Sequence, residues 1–130
     1  MTNATTLTTQ GIILFAHGGT SPAWAQPFRQ IQAVVQQQRP ECAVTLAFLE
    51  LTSPTVEDAL RAMAGQNVKQ VSVIPLTLAA DGHVRRELLK QLETIRRAYP
   101  NVEIGIKRSP GEAHELLEAI GLWAARESFN

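Results

Sequence analysis

The chain has 130 residues, 45% of them hydrophobic, enough for one domain with a modest core. Twelve Lys and Arg balance twelve Asp and Glu, so no basic stripe supports binding to nucleic acid or to a membrane surface. The single cysteine, Cys42, excludes an intrachain disulfide and a thiolate metal cluster.

Residues 1–10 are polar and Thr-rich, without the basic start and apolar run of a signal peptide. They read as a loose tail, with one domain over 11–130 and a cytoplasmic location. Gly11–Ala16 is apolar on both faces and reads as a buried strand. Trp24, Phe28, Ile31 and Val35 follow at helical spacing, and Pro27 belongs in the first turn, so regular helix begins near Gln26. Ala43–Leu49 is a second strand. Ser53 and Pro54 read as N-cap and first residue of a second helix, which carries Val56, Leu60 and Met63 and stops at Gly65. Gln70–Leu78 is a third strand, in which Pro75 forfeits a ladder hydrogen bond and ends or bends it. Val84, Leu88, Leu92 and Ile95 form a third helical stripe, ended by Pro100. Val102–Ile106 is the fourth strand, and Ala113, Leu116 or Leu117, Ile120 and Trp123 the fourth stripe. All four stripes read as core faces. No apolar stretch reaches the length of a bilayer.

Strict β-α alternation implies right-handed crossovers and an α/β fold, with a four-stranded parallel sheet covered by helices on both faces. Ligands of such sheets bind at the carboxyl ends of the strands, where strand order reverses. His17, Gly18, Gly19 and Thr20 follow the first strand, and Glu50 the second. Ala79 to His83, including Gly82, follow the third, and Lys107 and Arg108 the fourth. The connectivity thus gathers two histidines, a carboxylate and basic residues at one sheet edge. Imidazole is the usual ligand of borderline divalent metals. A histidine at a strand end also serves merely to bond a loop carbonyl, and Glu50 merely to cap a helix or pair with a lysine. Gly18 and Gly19 suit a tight turn or the approach of a flat ligand. The sequence after the first strand is neither a GxGxxG nor a P-loop. His114, with Glu115 and Glu118 nearby, reads as a surface histidine. Two histidines are too few for a closed structural zinc site and suit a metal held briefly.

Ala16-His17-Gly18, Phe48-Leu49-Glu50-Leu51 with Pro54 beyond, and Ile74-Pro75-Leu76 leading to Gly82-His83-Val84 resemble, in order and spacing, the small class II chelatases. These comprise the cobalt chelatases of anaerobic cobalamin synthesis and the sirohydrochlorin ferrochelatases, and the likeness runs from Gly11 to about Ala125. It implies a chelatase-like, flavodoxin-like three-layer fold. It implies that His17 and His83 are the metal and catalytic residues, and that the short form works as a homodimer. The chain departs from the family where Gly19-Thr20 replace a Ser-Arg pair, and where no proline follows Glu87.

The implied activity is insertion of a divalent metal into a sirohydrochlorin-type tetrapyrrole. Co2+ is expected, with Fe2+ or Ni2+ as alternatives, as substrate and without a prosthetic group. His17 and His83 would hold the metal and accept pyrrole protons, with Glu50 orienting an imidazole or acting as a second base. Gly18, Gly19, Gly82, Arg85 and Arg86 would contact the macrocycle, and Lys90, Lys107 and Arg108 are further partners for its carboxylates. Competing readings are a non-catalytic metal or tetrapyrrole carrier and a phosphate-binding flavodoxin-like module. A histidine phosphatase would need an arginine before His17, where Ala16 stands.

Overall fold

The computed structural model describes residues 9–19, 21–49, 53–78 and 82–129. Its strands are β1 (Gln10–Ala16), β2 (Ala43–Phe48), β3 (Gln70–Pro75) and β4 (Glu103–Ile106). Its helices are α1 (Gln26–Gln38), α2 (Val56–Gly65), α3 (Gly82–Ala98) and α4 (His114–Glu127), with short 3-10 turns at Pro22–Ala25 and Pro110–Glu112. The strands form one parallel sheet in the order β2-β1-β3-β4. The three-layer α/β architecture expected from the alternating pattern is present.

The two sheet faces carry separate cores. Ile13 and Phe15 of β1 and Val71 and Val73 of β3 pack with Leu60 and Met63 of α2 and Leu88 and Leu92 of α3. Leu14 and Ala16 point the other way, with Leu46 and Phe48 of β2, toward Trp24, Phe28 and Val35 at α1. Alternation of side chains along each strand produces this division. Leu88 and Leu92 are wholly buried, each contributing on the order of 1.5–3 kcal/mol. Among the described residues no helix is long and apolar enough to cross a membrane.

Several elements differ from expectation. β1 begins at Gln10, inside the stretch read as tail; residues 1–8 lie outside the described residues. β3 stops at Pro75 rather than Leu78, because the proline cannot donate the next ladder bond. Helix α2 is capped by Thr55, not Ser53. Thr55 Oγ1 accepts the Asp58 N–H at 3.1 Å, while Asp58 accepts the Thr55 N–H at 3.2 Å. This reciprocal box satisfies two end donors at once, and Pro54 instead offers its carbonyl to the Phe48 N–H at 2.9 Å.

The stripe of α1 is only partly a core face, since Ile31 is 40% exposed. The stripe of α4 is not one at all: no residue of that helix is buried. Helical periodicity reports that a face is apolar, not that the chain's own body covers it.

Candidate functional site

In the order β2-β1-β3-β4, the chain leaves β1 toward one side of the sheet, and β3 and β4 lie on the other. The reversal falls between β1 and β3, which is where open α/β sheets form their ligand crevice. The ends of the strands there are level. Ala16 is paired in register with Phe48, and Phe15 with Pro75. Backbone bonds carry the pairing one step further: Leu49 N–H to the Ala16 carbonyl at 3.0 Å, and Leu76 N–H to the Phe15 carbonyl at 2.7 Å.

His17 is the first residue past β1 and is exposed. Gly18 follows with φ 109°, a conformation that favours glycine. Gly19 lies against Trp24: a Cβ at Gly19 would stand 2.7 Å from Cγ of the indole. Trp24 is in turn held by Phe28, ring centroids 4.8 Å apart, and by Phe48 at 5.9 Å. Across the crevice, Gly82 and His83 open α3, and His83 is exposed in its first turn. His83, which the sequence places after the third strand and just before the stripe from Val84, stands on a 17-residue helix anchored by Val84 and Leu88 in the core.

Thus His17, Gly18 and Gly19 flank one side of the reversal, and Gly82, His83, Arg85 and Arg86 the other. Among the described residues no group of three or more His, Cys, Asp or Glu is arranged to hold a metal ion. Glu50 and Thr20 lie outside the described residues, as do residues 79–81.

The basic residues are partly engaged. Arg85 Nη1 stands 3.3 Å from Glu112 Oε1, and Arg108 Nη2 2.6 Å from Glu115 Oε2. Lys90 stands 3.6 Å from Glu87. The Arg86 guanidinium lies over Gly82, where a Cβ would come within 2.8 Å of Nη1. Exposed pairs such as these contribute about 0–1 kcal/mol, so Arg85 and Arg108 exchange one carboxylate for another at small cost. Glu112 also accepts from the backbone N–H and hydroxyl of Ser109 at 3.0 and 3.1 Å. The backbone bond first, then the hydroxyl and the nearby arginines, hold its carboxyl below the ordinary range. His114 is exposed and stands 3.6 Å from Glu118, a surface histidine as read from the sequence.

Trp24 is the neighbour of this site that sequence reading assigned only to a core stripe. The doublet Gly18-Gly19 was the available signal: one glycine supplies a positive φ and the other clears space for the indole.

Comparison with known proteins agrees with this fold. Residues 11–124 match the CbiX family model. The sirohydrochlorin cobaltochelatase of Methanosarcina acetivorans is 28% identical over 78 residues, 60% of each chain. The sirohydrochlorin ferrochelatase of Bacillus subtilis is 28% identical over 75 residues, 58% of this chain and 29% of that one. The aligned stretches therefore span less than two thirds of these curated relatives. The crystal structure of a CbiX protein of cobalamin (vitamin B12) biosynthesis from Marinobacter aquaeolei superposes with a TM-score of 0.80 and 27% identity, covering 91% of this chain and 96% of that one.

Proposed function

The chain belongs to the CbiX family, and from that premise we propose that it inserts a divalent metal ion into a sirohydrochlorin-type tetrapyrrole. The observation that carries the reading is the emergence of His17 and His83, both exposed, from the two connections that border the β1–β3 reversal. The names of the relatives, cobaltochelatase and ferrochelatase, supply the substrate class.

Metallation requires two exchanges at the centre of the macrocycle. The M2+ ion must shed part of its hydration shell and bind the pyrrole nitrogens, and two N–H protons must leave. Neutral imidazole serves both, because its nitrogen ligates borderline metals and its ordinary pKa lies near neutral pH. His17 and His83 hold the incoming ion; as it passes to the macrocycle, each imidazole nitrogen so released accepts a proton. Charge balances, since two protons leave as one dication enters. Glu50 orients an imidazole or takes a proton onward.

The macrocycle lies over the turn at Gly18 and Gly19, whose far side is packed by the Trp24 indole, and on the opposite side it meets Gly82, over which the Arg86 guanidinium lies. Substrate carboxylates meet Arg85 and Arg86 at the N-terminal end of α3, where the helix dipole also favours negative charge. Lys90, Lys107 and Arg108 lie further out. The metal is Co2+ in this reading, with Fe2+ or Ni2+ accommodated by the same donors, since imidazole selects weakly among them. The ion is substrate rather than resident cofactor. The working form is a cytoplasmic homodimer in which a second copy completes the cleft.

An absorbance assay with sirohydrochlorin and Co2+ or Fe2+ tests the reading, comparing the parent chain with His17→Ala and His83→Ala. Metallation faster than the spontaneous rate, lost in both variants, is expected. Equal rates in all three chains would remove the histidines from the mechanism. A parent chain that binds the macrocycle without turnover would be a carrier.

A further inference from the structure

The 3-10 turn at Pro110–Glu112 is fastened to both ends of the connection that carries Gly82 and His83. At the β3 end, the Gly111 N–H donates to the Thr77 carbonyl at 3.3 Å, two residues past Pro75. At the α3 end, Arg85 Nη1 donates to Glu112 Oε1 at 3.3 Å. The turn therefore sets a carboxylate beside the basic residues proposed for the macrocycle.

Glu112 does not owe its place to Arg85. Its Oε1 also accepts the Ser109 N–H at 3.0 Å and the Ser109 hydroxyl at 3.1 Å, both shorter. Ser109 is 5% exposed, the one buried polar residue among the described residues, so the carboxylate is rooted in the body of the protein. Arg108, the other cation near Glu112, is taken by Glu115 at 2.6 Å. The bond to Arg85 is thus the longest of three on one oxygen. It uses a single Nη, and 3.3 Å is long for an ionised pair, in which about 2.7–2.9 Å is usual. A free carboxylate that offers both oxygens to the guanidinium makes two parallel bonds and outcompetes it.

We propose that Glu112 is a specificity-determining residue of the tetrapyrrole site: it occupies Arg85 in the empty protein, and a carboxylate of the macrocycle takes its place. Glu112 keeps both Ser109 bonds when Arg85 leaves, so the exchange strands no charge in the interior. A neutral ring edge or a chloride ion cannot make the forked pair, so Arg85 is given up only to a carboxylate-bearing ligand. The exchange rests on the chelatase reading above and names what a ligand must displace to enter that site.

Binding of metal-free sirohydrochlorin to the full chain tests it, read from quenching of tryptophan fluorescence. Glu112→Gln keeps an acceptor for the Ser109 N–H but weakens the hold on Arg85. Its Kd should fall about two- to fivefold, the worth of one exposed ion pair. On the Arg85→Ala background the same substitution should change nothing, and the methyl ester of the macrocycle should bind parent and Glu112→Gln alike. An unchanged or higher Kd in Glu112→Gln overturns the exchange, and so does an equal fall without Arg85, which would reflect bulk charge alone. The parent chain gives an independent measure: the carboxyl 13C resonance of Glu112 should shift on saturation with sirohydrochlorin, and should stay in place in Arg85→Ala. A resonance unmoved in the parent overturns the exchange. Because binding is read without metal, a chain that binds but does not metallate fails the chelatase reading alone, and a parent that binds no sirohydrochlorin overturns both.

Discussion

The indole of Trp24 fills the space that a side chain at Gly19 would need, two residues from His17. The turn that carries the histidine is therefore backed by an aromatic cluster of Trp24, Phe28 and Phe48 rather than left to solvent. Gly19→Ala forces a methyl group into the ring. The expected cost is about 1–3 kcal/mol, the range for overpacking, seen as a lower urea midpoint with an unchanged slope. A midpoint equal to that of the parent would mean that Trp24 yields freely.

His17→Ala and His83→Ala separate chemistry from folding. Both side chains are exposed, so each variant is expected to unfold within about 0.5 kcal/mol of the parent. Metallation should fall by about 10²-fold or more, the usual contribution of a positioned proton acceptor. Initial rates by absorbance and urea melts on the same samples check both halves.

Thr55→Ala removes one side of the capping box at the start of α2. A loss of about 1 kcal/mol is expected, measured by chemical denaturation. Ser53→Ala should cost less, because Thr55 rather than Ser53 holds the helix end.

Acid should loosen the root of α4 before neutral pH does. The carboxyl of Glu112 is held below its ordinary range, chiefly by the Ser109 N–H. A carboxylate whose pKa is lower in the folded state contributes stability above its unfolded value, about 4.3. It loses that contribution as pH falls through the folded value. Amide protection over residues 109–116, taken relative to the intrinsic exchange rate at each pH, should therefore fall below about pH 4 in the parent, and Glu112→Gln should flatten that fall. Exchange that varies identically with pH in both chains would count against Glu112 as the cause.

Leu88→Ala tests the core that positions His83. Leu88 is wholly buried five residues further along α3, and a loss of about 2–5 kcal/mol is expected for a cavity there. Thermal or urea unfolding measures it.

Much of the architecture is legible in the sequence for a local reason. A strand buried on both faces must be apolar throughout, as at Gly11–Ala16, and a helix over a sheet must repeat its apolar residues, as at Val84, Leu88, Leu92 and Ile95. Pro75 marks the end of β3 because a missing N–H is visible in the residue itself. The start of α2 was misplaced because Ser53-Pro54 and Thr55 with Asp58 are both valid start signals, and only the Phe48–Pro54 backbone bond decides between them.

For the candidate site, the residue types and their positions after strands were readable from the chain alone. Their gathering at one sheet edge was readable too, from the β-α alternation; which strands flank the reversal was not. His17 and His83 are separated in sequence by α1, β2, α2 and β3, and they stand beside one reversal of strand order because β3 pairs with β1 rather than β2. That choice depends on how two sheet faces are buried at once, a sum over the whole chain that no local pattern contains. The same limit governs α4. Its periodicity determined by itself that one face of the helix is apolar; the tertiary structure decided that this face is left outside, because the 3-10 turn and its charged pairs aim the helix away from the sheet.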